Sequence, residues 1–329
     1  MKRAILIFVC ACLVATLGCS AIIGKEDTLT YQGLSMRFVE TLRNEASLRG
    51  ESLKERATNT NRATTLQQPN GVFADAFRVY VTDASPSPRV FVFDRGLSKV
   101  NILDSVLPRE VKLVAPGGIT VDAGQTIWVS DSAQGRVFGY DPNGKLLFII
   151  GQMGELSYPV GLARDIRNNR LYVADAHAHR VKVFSTNGTR LFEIGAGTTR
   201  EEEFKFPGAI ALDREGNLYV LDTLSRRIQV YDGSGKFLKG FGLAGSVPGL
   251  AVKPSGIAVD SDGHLYVTDA ASNNVLIFDR NGMFLFTWGA TGGLIGEFWT
   301  PAGIFIDDRD YIYIADRTNG RVQTFQYIK

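Results

Sequence analysis

The sequence predicts an all-β fold: a six-bladed β-propeller of four-stranded blades, its last blade closed by an N-terminal strand. Three observations carry this prediction. Pro followed two residues later by Gly or Ala and then an apolar residue recurs at Pro69, Pro116, Pro159, Pro207, Pro254 and Pro301, in steps of 43 to 48 residues. Each copy holds short phrases rich in Val, Ile, Tyr and Phe, bounded by Gly, Asp or Asn, as strands are. Glycine, at 35 of 329 residues, exceeds the ordinary share of about 7% while proline stays at 11, so glycine marks turns rather than a low-complexity tract. With 45% hydrophobic and 21% charged residues, the chain has the composition of a packed domain and not of a disordered one.

The chain opens with Lys2 and Arg3, then runs uncharged from Ala4 to Leu17. That stretch is shorter than the roughly 20 residues that span a bilayer, and it suits the apolar region of a signal peptide. Residues 1–18 are therefore expected to be a leader. Ala15-Thr16-Leu17-Gly18-Cys19 resembles the lipobox of bacterial lipoproteins, although the family prefers Leu where Thr16 stands. The resemblance implies cleavage before Cys19 and acylation of that cysteine, with Ser20 after it permitting sorting to the outer membrane. All three cysteines, Cys10, Cys12 and Cys19, lie in this segment, so the remaining chain has no pair for a disulfide. Residues 19–68 read as a linker. Within it, Leu29 to Gly33 is predicted to be the strand that closes the last blade. Phe38, Val39 and Leu42, after a potential Ser35 N-cap, predict a short helix. Thr58 to Gln68 is polar and reads as a loop.

From residue 69 to 329 the repeat supplies the strands. The second phrase of each unit ends in Asp: Val79-Tyr-Val-Thr-Asp83, Ile127-Trp-Val-Ser-Asp131, Leu171-Tyr-Val-Ala-Asp175, Leu218-Tyr-Val-Leu-Asp222, Leu265-Tyr-Val-Thr-Asp269 and Ile312-Tyr-Ile-Ala-Asp316. A third phrase opens at Arg89, Arg136, Arg180, Arg227, Asn274 and Arg321. A fourth follows most, after turns such as Asp141-Pro-Asn-Gly144 and Asp279-Arg-Asn-Gly282, whose Gly can take φ > 0 and close a tight hairpin. Consecutive apolar positions suit strands covered on both faces. Four strands per unit make a propeller blade, and a lone blade cannot cover its own faces. The sixth unit holds only three strands before Lys329, which is why an N-terminal strand is expected to complete it.

These copies resemble the NHL repeat over residues 69–329, with His179-Arg180 matching the family's pattern before the third strand. The layout, and Phe298-Trp-Thr-Pro-Ala-Gly-Ile-Phe-Ile-Asp-Asp308 near the end, are similar to a group of bacterial six-bladed propeller lipoproteins. Lyases of the repeat family that cleave peptidyl-hydroxyglycine hold zinc with His from different blades. Here His177 and His179 share one loop, while His264 lies in a turn predicted on the opposite face, so the three do not converge on one tetrahedral ion.

The six repeated aspartates, Asp83, Asp131, Asp175, Asp222, Asp269 and Asp316, could ring a channel and bind a cation. A short Asp after a strand also accepts hydrogen bonds from the next loop, and recurrence in every blade favours that structural role. Arg136, Arg180, Arg227 and Arg321 are in phase with the repeat and read as turn caps paired with those aspartates. Arg226 and Arg317 fall out of phase and, with His177 and His179, are the candidates for contact with a partner. Asp260-Ser-Asp-Gly263 lacks the closing ligands of a calcium loop and reads as a turn. No nucleophile elbow, P-loop or dinucleotide fingerprint appears, so neither catalytic residues nor a cofactor or metal are expected.

Formal net charge is +2 for the whole chain, and loss of Lys2 and Arg3 with the leader leaves 34 basic against 34 acidic residues. A neutral surface argues against nucleic acid as a partner. The sequence is thus read as a lipid-anchored envelope protein that presents a loop face to a protein partner, as a scaffold or assembly factor without enzymatic activity. The alternative is a metal-dependent propeller enzyme, lyase- or lactonase-like, with its site at the channel mouth.

Overall fold

The computed structural model describes residues 20–21, 28–31, 34–48, 64–103, 112–195, 202–243 and 251–329. The expected leader, Cys19 and residues 58–63 of the expected loop lie outside them. Six antiparallel sheets form one after another along the chain. The innermost strands are Pro69–Ala74, Pro116–Val121, Pro159–Asp165, Pro207–Leu212, Pro254–Val259 and Pro301–Ile306. Each packs against the innermost strand of the next sheet, and the sixth packs against the first, so the sheets are blades of a closed six-bladed propeller.

The consecutive apolar residues of each second strand are explained by this geometry. Side chains alternate across a strand, and each blade has a neighbour on both faces. Leu171 and Val173 of blade three face blade two, in a cluster with Trp128, Val137 and Phe184. Tyr172 and Ala174 face blade four, in a cluster with Ile210, Val220 and Tyr231. Among the described residues six such clusters exist, one per blade junction, and no single centre holds the core.

Where blades meet at the axis, the inner strands come close enough to need glycine. An ideal Cβ on Gly303 of blade six would lie 2.5 Å from the Asn70 carbonyl oxygen of blade one. One on Gly118 of blade two would lie 2.6 Å from the Val160 carbonyl oxygen of blade three. This is the physical content of the Pro-x-Gly phrase at these junctions, where a side chain would collide with the neighbouring backbone; blade four accommodates Ala209 at the same place. Hydroxyls on second strands bridge the same junctions, with Thr82 Oγ1 donating to the Gly117 carbonyl at 2.7 Å and Ser130 Oγ to that of Val160 at 2.6 Å.

The N-terminal segment closes the ring, one strand later in the chain than the sequence predicts. The strand beside Arg321–Ile328 is Leu34–Leu42, the stretch read above as a helix. Thr28–Tyr31, within which most of the predicted closing strand falls, pairs outside it as the fifth strand of that sheet. The reason is a bulge: Glu40 pairs with Thr324 and Phe38 with Phe325, leaving Val39 unpaired and turned outward. Val39 supplied the helical spacing. Leu34, Met36 and Phe38 keep the period of two that a strand requires and pack toward blade five, and the bulge turns Leu42 to the other face, toward blade one. The helix present is one turn, Glu45–Leu48, where the Asn44 side-chain oxygen accepts from the Ser47 N–H. Ser20–Ala21 adds a short parallel pairing to the outer strand of blade five.

Candidate functional site

The connections between blades and the turns between second and third strands share one face, here the link face. The turns between first and second, and between third and fourth strands, share the far face. The six repeated aspartates end the second strands on the link face. Each points back at the incoming link. Asp269, fully buried, accepts from the N–H groups of Val252, Lys253, Ala271 and Ser272 at 2.6 to 3.0 Å. Asp131 accepts from Val114, Ala115 and Gln134, and Asp83, Asp175, Asp222 and Asp316 hold their links the same way. All six accept from link backbone N–H groups, as a turn-capping role demands.

The in-phase arginines are less uniform than the sequence suggests. Arg321 is buried against Asp316, Nε to Oδ2 at 2.7 Å, and its other nitrogens donate to the carbonyls of Gly293, Leu294 and Glu297, shaping the last link. Arg227 lies 3.5 Å from Asp222. In blade three Lys182 takes Asp175 instead, at 2.7 Å, and Arg180 turns to Glu193.

All four sequence-predicted partner candidates lie on the link face. His177 is exposed and stacks on Tyr158, rings 4.3 Å apart, with Phe206 edge-on at 6.0 Å. His179 sits at φ 55, its Nδ1–H donating to the Lys205 carbonyl at 2.7 Å. The acceptor is a carbonyl, so the proton belongs to the imidazole nitrogen. Arg226, at φ 47, occupies the left-handed turn position that Gly135, His179, Asn273 and Gly320 occupy in other blades, so its backbone is in phase after all. Its side chain is exposed, and that of Arg317 half-buried. His264 lies on the far face, Nδ1 2.8 Å from Asp260 Oδ2. Among the described residues no group of three or more His, Cys, Asp or Glu side chains is placed to hold a metal ion.

Between these polar groups, the link face exposes large apolar side chains. Trp299 is 51% exposed, Leu224 69%, and Val114 and Val252 more than half. Val114, Val252 and Trp299 occupy one repeat position, two residues before the inner-strand proline. The aspartate bond to each backbone N–H fixes the link there. Sequence reading passed over them because apolar residues in a link carry no motif.

The far face holds a second ring of aspartates. Tyr80, Trp128, Tyr266 and Tyr313 donate to Asp75, Asp122, Asp260 and Asp307 at 2.8 to 3.2 Å, which gives the aromatic residue of the second phrase a polar role in four blades. Inside this ring the channel widens to a cavity of about 460 Å³. Arg164 of blade three lies there with its Cζ 4.8 Å from the Phe73 ring centroid of blade one. The signal for Arg164 was present in the repeat: the same place carries Ala74, Val121, Leu212, Val259 and Ile306 in the other blades.

Residues 156–184 match the NHL repeat, and residues 250–327 match a family described as a 6-bladed beta-propeller. No curated protein sequence matches the chain. Solved structures do. A gluconolactonase of Xanthomonas campestris is 16% identical with a TM-score of 0.63, covering 96% of this chain and 99% of that one. A catalytically inactive virginiamycin B lyase of Staphylococcus aureus, with quinupristin, is 16% identical with a TM-score of 0.60, covering 95% and 99%. An auxiliary nutrient binding protein of Bacteroides thetaiotaomicron is 15% identical with a TM-score of 0.60, covering 81% and 71%. At such identities the likeness is one of fold alone.

Proposed function

We propose that this propeller is a lipid-anchored scaffold or assembly factor of the cell envelope, held through Cys19 and binding a protein partner on its link face. The observation that carries the reading is the concentration there of exposed Trp299, Leu224, Val252 and Val114, flanked by Arg226, Arg317 and the His177 stack. Large apolar side chains with arginine at the margin are the composition of protein interfaces. Rigid blades hold them at low entropic cost, since the links are tied down by buried aspartates. In-membrane crosslinking from native membranes tests this, with Cys19→Ala as release control. The wild type yields a crosslinked partner that a Trp299→Asp/Leu224→Asp variant of unchanged melting temperature loses. A partner retained by that variant, or Cys19→Ala still membrane-bound at high salt, sinks the corresponding half of the proposal.

The alternative, a metal-dependent lyase- or lactonase-like enzyme, takes its support from the open channel mouth. A stoichiometric divalent metal lost on changing His177 or channel carboxylates would establish it.

A further inference from the structure

The far-face cavity holds a guanidinium for which the protein supplies no acid. Arg164 is half-buried, and burial pulls its pKa below the usual arginine value, with Asp308, Asp122 and Asp75 acting on it only through space. One face of the guanidinium lies over Phe73. Its edges carry five N–H donors, and among the described residues no side chain or carbonyl accepts from them and no carboxylate comes within 4.0 Å.

Of the neighbouring carboxylates, all but the exposed Asp308 are otherwise engaged. Asp165 accepts from Arg167, Asn168 N–H and the Asn168 amide. Asp213 accepts from the Asn217 N–H and amide, and Asp260 from His264 and Tyr266. Asp307 accepts from Arg309, Tyr311 and Tyr313. Arg214 is turned to the Asp308 carbonyl, with Asp310 at 4.0 Å, and Arg167 is exposed. Asp308 is exposed. The wall around Arg164 is mixed: Phe73, Ile119, Ile210, Ile257 and Phe305 form its apolar part, and aspartates and two further arginines share the lining. A volume of this size, a partly apolar wall and one guanidinium without a protein partner describe a small-molecule site. A planar, forked donor set matches a carboxylate in two parallel hydrogen bonds.

We propose that the far-face cavity binds a small carboxylate with an apolar body, its acid group on the edge of Arg164 and its body against Phe73, Phe305 and the surrounding aliphatic walls. This site lies on the face opposite the proposed protein-docking surface and does not depend on it. The blade fold accepts an apolar residue at the place of Arg164, as the other five blades carry Ala, Val, Leu or Ile there. Arg164→Leu is therefore expected to fold.

The test uses benzoate as probe on the full chain, read by calorimetric titration and by melting temperature at low salt. Wild type binds benzoate saturably at one site. Arg164→Leu, melting no lower than wild type, loses at least about tenfold in affinity. Asp308→Asn tightens binding, because a like charge leaves the site, and acetate, lacking the apolar body, binds more weakly than benzoate. Equal benzoate binding by Arg164→Leu, no binding at millimolar benzoate, or equal binding of sulfate would each overturn the proposal. Loss of partner crosslinking with benzoate binding intact bears on the docking surface alone.

Discussion

Arg95 of blade one grips Glu40 of the closing strand, Nη2 and Nε lying 2.6 and 2.9 Å from the same carboxylate oxygen, Oε1. The same guanidinium donates to Tyr313 of blade six at 3.2 Å and lies over that ring, 5.3 Å from its centroid. One side chain thus ties the first blade to two strands of the last. Both partners of the ion pair are about three-quarters buried, so solvent screens it less than a surface pair. Arg95→Ala and Glu40→Gln are each expected to lower unfolding free energy by about 1 to 2 kcal/mol, and the double variant by less than their sum. Urea unfolding of the four proteins measures this; full additivity would show that the pair contributes nothing to closure.

Closure also needs the Gly303 contact. A methyl at 2.5 Å from the Asn70 carbonyl forces blades six and one apart. Gly303→Ala is expected to cost about 1 to 3 kcal/mol and Gly303→Val more. A melting temperature unchanged in Gly303→Val would contradict the close approach.

Asp269→Ala removes the acceptor for four backbone N–H groups in a part-buried setting. The expected loss is about 3 kcal/mol or more. Hydrogen exchange should report it first at Val252, Lys253 and Ser272, and protection unaltered at those amides would count against the capping role.

His264 gives a pH dependence. Its hydrogen bond to Asp260 raises its pKa above the ordinary 6.5, against the opposing effect of burial. A raised folded-state value means the protonated form is favoured by folding. This stabilisation is complete below the unfolded pKa and fades as pH rises through the folded one. The stability difference between wild type and His264→Gln should therefore shrink between about pH 6 and 8. A difference that is flat or grows over that range would be the wrong sign.

Much of the blade was legible because the repeat is local. Tyr172, Ala174 and Asp175 declare a buried strand and its capped end within a few residues, and five other copies say the same. The far-face aspartates were visible as turn residues but not as acceptors for Tyr80 or Trp128, since that bond requires the hairpin's register. The closing strand was misread because one bulged residue, Val39, gave helical spacing to a period of two. Arg226 looked out of phase by side chain although its backbone repeats, as φ is not written in residue type alone.

The sequence by itself determined the number of blades, the second and third strands of each and the aspartates that cap their links, because each depends on residues near one another in the chain. Only the tertiary structure decided that Arg164 lies over Phe73 and that Arg95 meets Glu40 and Tyr313. Those contacts cross from one blade to another. They exist only once six sheets have closed into a ring, and ring closure sets which distant side chains share a low-dielectric space.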